Sequence, residues 1–269
     1  MKKLNILSIT GVIGSFMLLG SCGSVKEYMI TSGNENLQAL TKITDNAGQT
    51  VTAVATSSDS PAIFIAVRDG ISSNIFKKDN PTSASMSQIT SGDIICSSPY
   101  YNPATDRLAF TYRTRYDSYN WTKGDVYTLG FNNVNALSPV TQSATIEEYS
   151  PSFSPDGSII CYQSNGGTDG EIWTKNLKTN ETTILGSGMQ PKISPDGSKI
   201  VFCRYKTRAS NSPSSIWVMN IDGTNVTEVM SNPNQQMFCP SWSPDGKKIV
   251  FQAASKNGSN YKTFDIFVM

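Results

Sequence analysis

From about residue 57 onward the chain alternates apolar and polar positions in short runs, and the runs come in a fixed order. Leu108–Phe110, Ile160–Tyr162, Ile200–Phe202 and Ile249–Phe251 each follow a tight polar turn. After a polar loop each is followed by a second run: Asp125–Tyr127, Glu171–Trp173, Ser215–Trp217 and Asp265–Phe267. β-Branched and aromatic residues at a period of two, bounded by Ser, Asn, Asp, Gly and Pro, predict strands joined by turns. The pattern predicts an all-β fold.

The turns themselves repeat. Ser150–Gly157 (SPSFSPDG) recurs as Gln190–Gly197 (QPKISPDG) and Cys239–Gly246 (CPSWSPDG), and a degenerate copy spans Ser98–Asp106. In Ser-Pro-Asp-Gly, proline presets φ for the first turn position, and glycine accepts positive φ where the next strand begins. The copies start 52, 40 and 49 residues apart. A further copy lies at a fixed offset of 97 residues before the Ser150–Gly157 copy, where Ser57–Ser60, Ile63–Ile65 and Asn74–Phe76 fall on the turn and the two runs. Four short strands per roughly 40–50 residues is the length of a propeller blade. The outer strand of each blade is expected at Gln88–Thr90, Val140–Thr141, Thr182–Leu185 and Val226–Val229. The last blade lacks one, and residues 37–44 read as an orphan outer strand, so the N-terminal strand is expected to close the ring on the last blade. This count gives a β-propeller of five four-stranded antiparallel blades, with six as the alternative.

These motifs resemble the TolB-like propeller repeat, a relative of the WD-type repeats, over roughly residues 36–269. The resemblance implies an exported protein of the bacterial cell envelope.

The N-terminus fits export. Lys2 and Lys3 precede an apolar stretch from Leu4 to Leu19 that reads as a secretory signal. Leu19-Gly20-Ser21-Cys22 resembles the lipobox of bacterial lipoproteins, in which the cysteine is acylated and becomes N-terminal. Several acyl chains on one residue give stable anchoring, each buried methylene adding about 0.8 kcal/mol. The expected organisation is a signal peptide over 1–21, a lipidated tether over 22–35 and a propeller over 36–269. Gly23 stands where an aspartate would retain such a protein at the inner membrane, which points to the outer membrane.

Composition narrows the chemistry. The chain has 22 Lys plus Arg, 21 Asp plus Glu and no histidine. Ser-His-Asp and Cys-His nucleophiles and His-ligated metal sites are therefore excluded. Loss of Lys2 and Lys3 with the signal turns the formal +1 into −1, which does not suit a nucleic-acid-binding domain. Cys96, Cys161, Cys203 and Cys239 have no metal-binding spacing and read as small apolar core residues rather than disulfide partners. No cofactor or metal is expected.

Two sets of residues are candidates for function. The inward positions of the first strand of each blade carry Tyr100, Asn102, Ser152, Ser154, Lys192, Ser194, Ser241 and Ser243, and no carboxylate of the kind a glycosidase needs. The loops between the second and third strands gather positive charge and aromatic rings: Arg113, Arg115, Tyr116, Tyr119 and Trp121 in the second blade, and Arg204, Tyr205 and Arg208 in the fourth. Tyr, Trp and Arg are the residues of binding hot spots. The expectation is a monomeric, non-catalytic lipoprotein that binds an envelope protein or an anionic glycan through this loop face. A glycan-processing propeller is the alternative.

Overall fold

A computed structural model describes residues 50–57, 60–80, 85–115, 122–131, 136–165, 170–207, 212–257 and 260–269. The predicted signal, Cys22, the tether and the orphan strand at 37–44 lie outside the described residues. So do Tyr116, Tyr119, Trp121 and Arg208.

Nineteen strands form among the described residues, in antiparallel groups that follow chain order. The first group is β1 (Thr50–Ser57), β2 (Ser60–Asp69), β3 (Ser72–Lys78) and β4 (Ser87–Gln88). The second is β5 (Ile94–Asn102), β6 (Arg107–Thr114), β7 (Asp125–Gly130) and β8 (Leu137–Pro139), joined to the first by one parallel pairing, Ser73 with Ile95. The third is β9 (Glu148–Phe153), β10 (Ile159–Ser164), β11 (Glu171–Asn176) and β12 (Thr182–Ser187). The fourth is β13 (Met189–Ile193), β14 (Lys199–Tyr205), β15 (Ser214–Asn220) and β16 (Thr227–Met230). The last is β17 (Gln235–Trp242), β18 (Ile249–Asn257) and β19 (Asn260–Val268). Within the groups consecutive strands pair in chain order, the four-stranded antiparallel arrangement of a TolB-like propeller.

The turns explain why the repeat is written as it is. Gly157 has φ +69°, Gly197 +76° and Gly246 +67°, where a Cβ is disfavoured. Ser154 Oγ donates to Asp156 Oδ1 at 2.6 Å and accepts the Ile159 N–H at 2.9 Å; Asp156 in turn accepts from Ser158. The same bonds recur around Ser194 and Asp196 and around Ser243 and Asp245. Asp156 and Asp196 are thereby held down to about 2, the serine hydroxyl of the turn contributing most.

The core lies between blades. Leu108 and Phe110 pack with Phe64 and Ile75; Phe153, Ile160 and Tyr162 with Ala109 and Val126; Ile193, Ile200 and Phe202 with Cys161 and Ile172; Phe251 and Phe267 with Val201 and Ile216. Burying such a side chain contributes about 1.5–3 kcal/mol.

The second blade's outer strand differs from the expected Val140–Thr141. Its strand is Leu137–Pro139, and Val140 turns inward instead. The Val140 N–H bonds the Val126 carbonyl at 2.8 Å, and Thr141 Oγ1 accepts the Val126 N–H at 2.9 Å. A side-chain hydroxyl thus replaces a ladder bond. Thr90 does the same for Ile75 in the first blade.

Candidate functional site

The first strands of four blades, β5, β9, β13 and β17, share a local distortion. Ser98, Ser150, Gln190 and Cys239, each preceding a proline, have φ of 50°, 56°, 54° and 49°. A residue before proline ordinarily stays extended, and positive φ without glycine costs of order 1–3 kcal/mol. At each one the pairing register to the next strand shifts, so these are β-bulges. Bulges re-aim side chains and gather beside functional sites. Here the residues two beyond each bulge, Tyr100, Ser152, Lys192 and Ser241, form one layer among the first strands of these groups, with the Lys192 ammonium over the Tyr100 ring.

On the turn side of that layer is a cavity of about 380 Å³. The turn prolines Pro103, Pro155, Pro195 and Pro244 rim it, Tyr101, Phe153 and Trp242 supply flat walls, and Lys192 lines it from below. Lys192 is 3% exposed. Its Nζ donates to the Pro151 carbonyl at 3.1 Å and lies 5.1 Å from the centre of the Tyr100 ring. Burial pulls the ammonium down to about 8.

On the loop side a hydrogen-bond relay joins the blades. Gln163 Nε2 donates to Tyr149 Oη at 2.8 Å, and Tyr149 donates to Asn165 Oδ1 at 2.7 Å. Gln163 Oε1 accepts the Gln190 N–H at 3.0 Å, and Gln190 Oε1 accepts the Cys239 N–H at 2.7 Å. The two glutamines satisfy the N–H groups of two strained bulges.

The described members of the predicted loop site are engaged within the chain. Arg113 pairs with Glu147 at 3.2 Å and Arg115 with Asp93 at 3.3 Å. Arg204 donates twice to the Ser187 carbonyl, at 3.1 and 2.7 Å, with its guanidinium 4.7 Å from the Trp217 ring centre. The Tyr205 ring meets Phe238 edge-on at 6.4 Å. Burial raises Tyr149 above the usual phenol range, and Glu147, Arg113 and Tyr205 all act on it electrostatically. Arg113 from the second blade and Tyr205 from the fourth are thus both within electrostatic reach of one residue of the third. Sequence reasoning did not foresee the bridging role of Tyr149, because nothing local marks it.

The four cysteines described are free thiols, with Cys96, Cys161 and Cys203 buried. Among the described residues no three Cys, Asp or Glu side chains stand together as metal ligands.

With this geometry in hand, the comparisons are specific. The family profile described as the TolB beta propeller domain matches residues 130–266, half of the chain. The Tol-Pal system protein TolB of Francisella tularensis subsp. tularensis (strain WY96-3418) is 31% identical over 127 residues, which is 45% of this chain and 28% of that protein. The chain thus spans little more than a quarter of the curated relatives it matches. Among solved structures, a protein of Agrobacterium tumefaciens assigned to TolB superposes with a TM-score of 0.62 at 19% identity, covering 77% of this chain and 72% of that one. TolB from Acinetobacter baumannii gives 0.53 at 17% identity over 81% and 52%. An oligogalacturonate lyase solved with manganese gives 0.54 at 17% identity over 74% and 57%. At such identities these likenesses speak to the fold alone.

Proposed function

Because the chain belongs to the TolB β-propeller family, we propose that it is a cell-envelope protein whose propeller is a non-catalytic scaffold for a partner protein. The supporting relatives are Tol-Pal system proteins. In this reading residues 1–21 are a signal peptide, Cys22 carries the lipid, and the protein sits at the outer membrane. Residues 37–44 complete the last blade.

The observation that carries the choice of site is the convergence on Tyr149. Arg113 of the second blade and Tyr205 of the fourth both act on it, which supports a site in which Arg113, Arg115, Tyr116, Tyr119, Trp121, Arg204, Tyr205 and Arg208 serve one partner. The arginines' present pairs are no obstacle. Half-exposed ion pairs contribute only about 0–1 kcal/mol, so exchange for a partner's carboxylates costs little. An anionic glycan is the second reading, favoured by guanidinium groups beside aromatic rings, as at Arg204 and Trp217.

The test is capture of envelope proteins by the native chain and by a variant with Arg113, Arg115 and Arg208 all changed to Ala. A partner held through this face is lost from the variant and released from the parent by salt, since exposed charges are screened within about 8 Å at physiological ionic strength. A partner retained equally by both chains at low salt would move the site off this face. A uronate polymer that competes for capture would favour the glycan reading.

A further inference from the structure

The cavity on the turn side needs a separate explanation, because its floor is a buried cation. An ammonium has three donors. The Lys192 group donates to the Pro151 carbonyl at 3.1 Å and faces the Tyr100 ring, which offers no carboxylate.

The polar groups around it are engaged within the ring of turns. Tyr101 donates to Asp106, and Asn102 to the Ser154 and Pro155 carbonyls. Ser154, Ser194 and Ser243 donate to Asp156, Asp196 and Asp245. Trp242 Nε1 donates to the carbonyl of Lys192 itself at 3.1 Å. Those three aspartates are exposed and face their own turns.

The thiols of Cys161 and Cys239 act on the ammonium from neighbouring strands, but burial pushes each up to about 12. Both are neutral at pH 7, whereas Lys192 keeps its proton there. A buried charge is costly unless it is paired. Nothing among the described residues of this lining balances this one.

We propose that the turn-side cavity binds a small carboxylate-bearing molecule, its carboxylate on the Lys192 ammonium and its body against Trp242, Phe153 and the turn prolines. A single cation matches a single negative charge. Inorganic phosphate at neutral pH would bring more negative charge than the one lysine of the lining can balance. The volume, about 380 Å³, lies in the range of small-molecule sites and suits one sugar acid or aromatic acid. This site is lined by the turns rather than by the loop arginines and does not depend on the loop face.

Calorimetry on the full chain with benzoate and galacturonate tests the proposal, with benzamide and galactose as uncharged counterparts. At pH 7 at least one acid is expected to bind at least tenfold more tightly than its counterpart. Its affinity should fall at least tenfold by pH 9.5, as Lys192 loses its proton while Cys161, Cys239 and Tyr100 remain protonated. Lys192→Met should abolish the preference for the acid. Should that variant fail to fold, lysine-resolved NMR of the native chain supplies the readout: the titration of Lys192 moves to higher pH when the bound acid is present. Equal binding of acid and uncharged counterpart, undiminished binding by a folded Lys192→Met chain, or a Lys192 titration that does not move would each overturn it.

Discussion

Across the seam between the fourth and last blades, the side-chain oxygen Oε1 of Gln190 accepts the backbone N–H of Cys239 at 2.7 Å. Both residues hold positive φ in bulges of their own strands, so one strained position supports the next. Gln190→Leu keeps the bulk of the side chain and removes the acceptor. It is expected to destabilise the fold by about 1–3 kcal/mol, the usual effect of leaving an enclosed donor unpaired. The midpoint of urea unfolding measures it, and an unchanged midpoint would show that the bond does not hold the bulge.

The turn glycines should not be equivalent. A Cβ on Gly246 would meet its nearest neighbour, Pro195, at an ordinary 3.8 Å, so Gly246→Ala is opposed by backbone conformation alone, about 1 kcal/mol. A Cβ on Gly157 would come within 2.5 Å of Thr105 Cγ2. Gly157→Ala should therefore cost more, and Gly157→Val about 1–3 kcal/mol or above. Thermal melts of the variants side by side check the order. If Gly246→Ala melts below Gly157→Ala, the packing of the turns is not what this contact indicates.

Glu148 is buried at the junction of the second and third blades, and its Oε2 has no hydrogen-bond partner. Burial, reinforced by Asp125, raises its carboxyl above the usual range. The folded state therefore favours the protonated acid. The contribution to stability is full below the ordinary carboxyl range and is lost as pH rises through the raised value. Glu148→Gln should remove that loss and make the protein more stable at pH 7, by on the order of 1 kcal/mol, with little change at pH 4. Unfolding at the two pH values decides it. A destabilised variant at pH 7 would mean that the ionised carboxylate is the supported form.

Lys192 runs in the opposite sense. Burial lowers it from 10.5 to about 8. Below pH 8 both states carry the proton. Between about 8 and 10.5 the unfolded chain still holds a proton that the folded chain has released, so stability rises with pH across this window. The gain amounts to at most about 3 kcal/mol. Comparison with Lys192→Met isolates it, since every other titrating group is common to both proteins. The difference between the two unfolding curves should change across that window, and a constant difference would contradict the assignment.

Lipidation has its own test. Cys22→Ser should abolish labelling by a palmitate analogue and release the chain from membranes. Undiminished labelling would rule out this anchor.

What the sequence made legible follows from the range over which its signals act. Ser-Pro-Asp-Gly sets its turn through bonds spanning at most five residues, so turns, strands and their order could be read directly. The bulges could not, because Ser98, Ser150, Gln190 and Cys239 have no side chain common to all four, and a following proline ordinarily argues for extended backbone. Lys192 could be placed on the inward face by its alternation, but not its isolation from carboxylates, which depends on three other blades. The loop arginines were visible as charge, whereas their partners Glu147 and Asp93 lie 34 and 22 residues away. Val140–Thr141 misled because an inward valine beside a threonine reads like a strand when its hydroxyl is doing the work of a backbone carbonyl.

Each turn glycine sits against the turn before it: Gly157 against Thr105, Gly197 against Pro155, Gly246 against Pro195. In the last two cases the proline of one motif and the glycine of the next form a matched pair that spans two units. The unit that can be inserted, deleted or exchanged without penalty is then not a blade cut at its own motif. It is a segment running from one proline to the following glycine. Chimeras between propellers of this kind should fold when the junctions respect that frame, and lose a seam when a blade is transplanted with its own turn but a foreign predecessor.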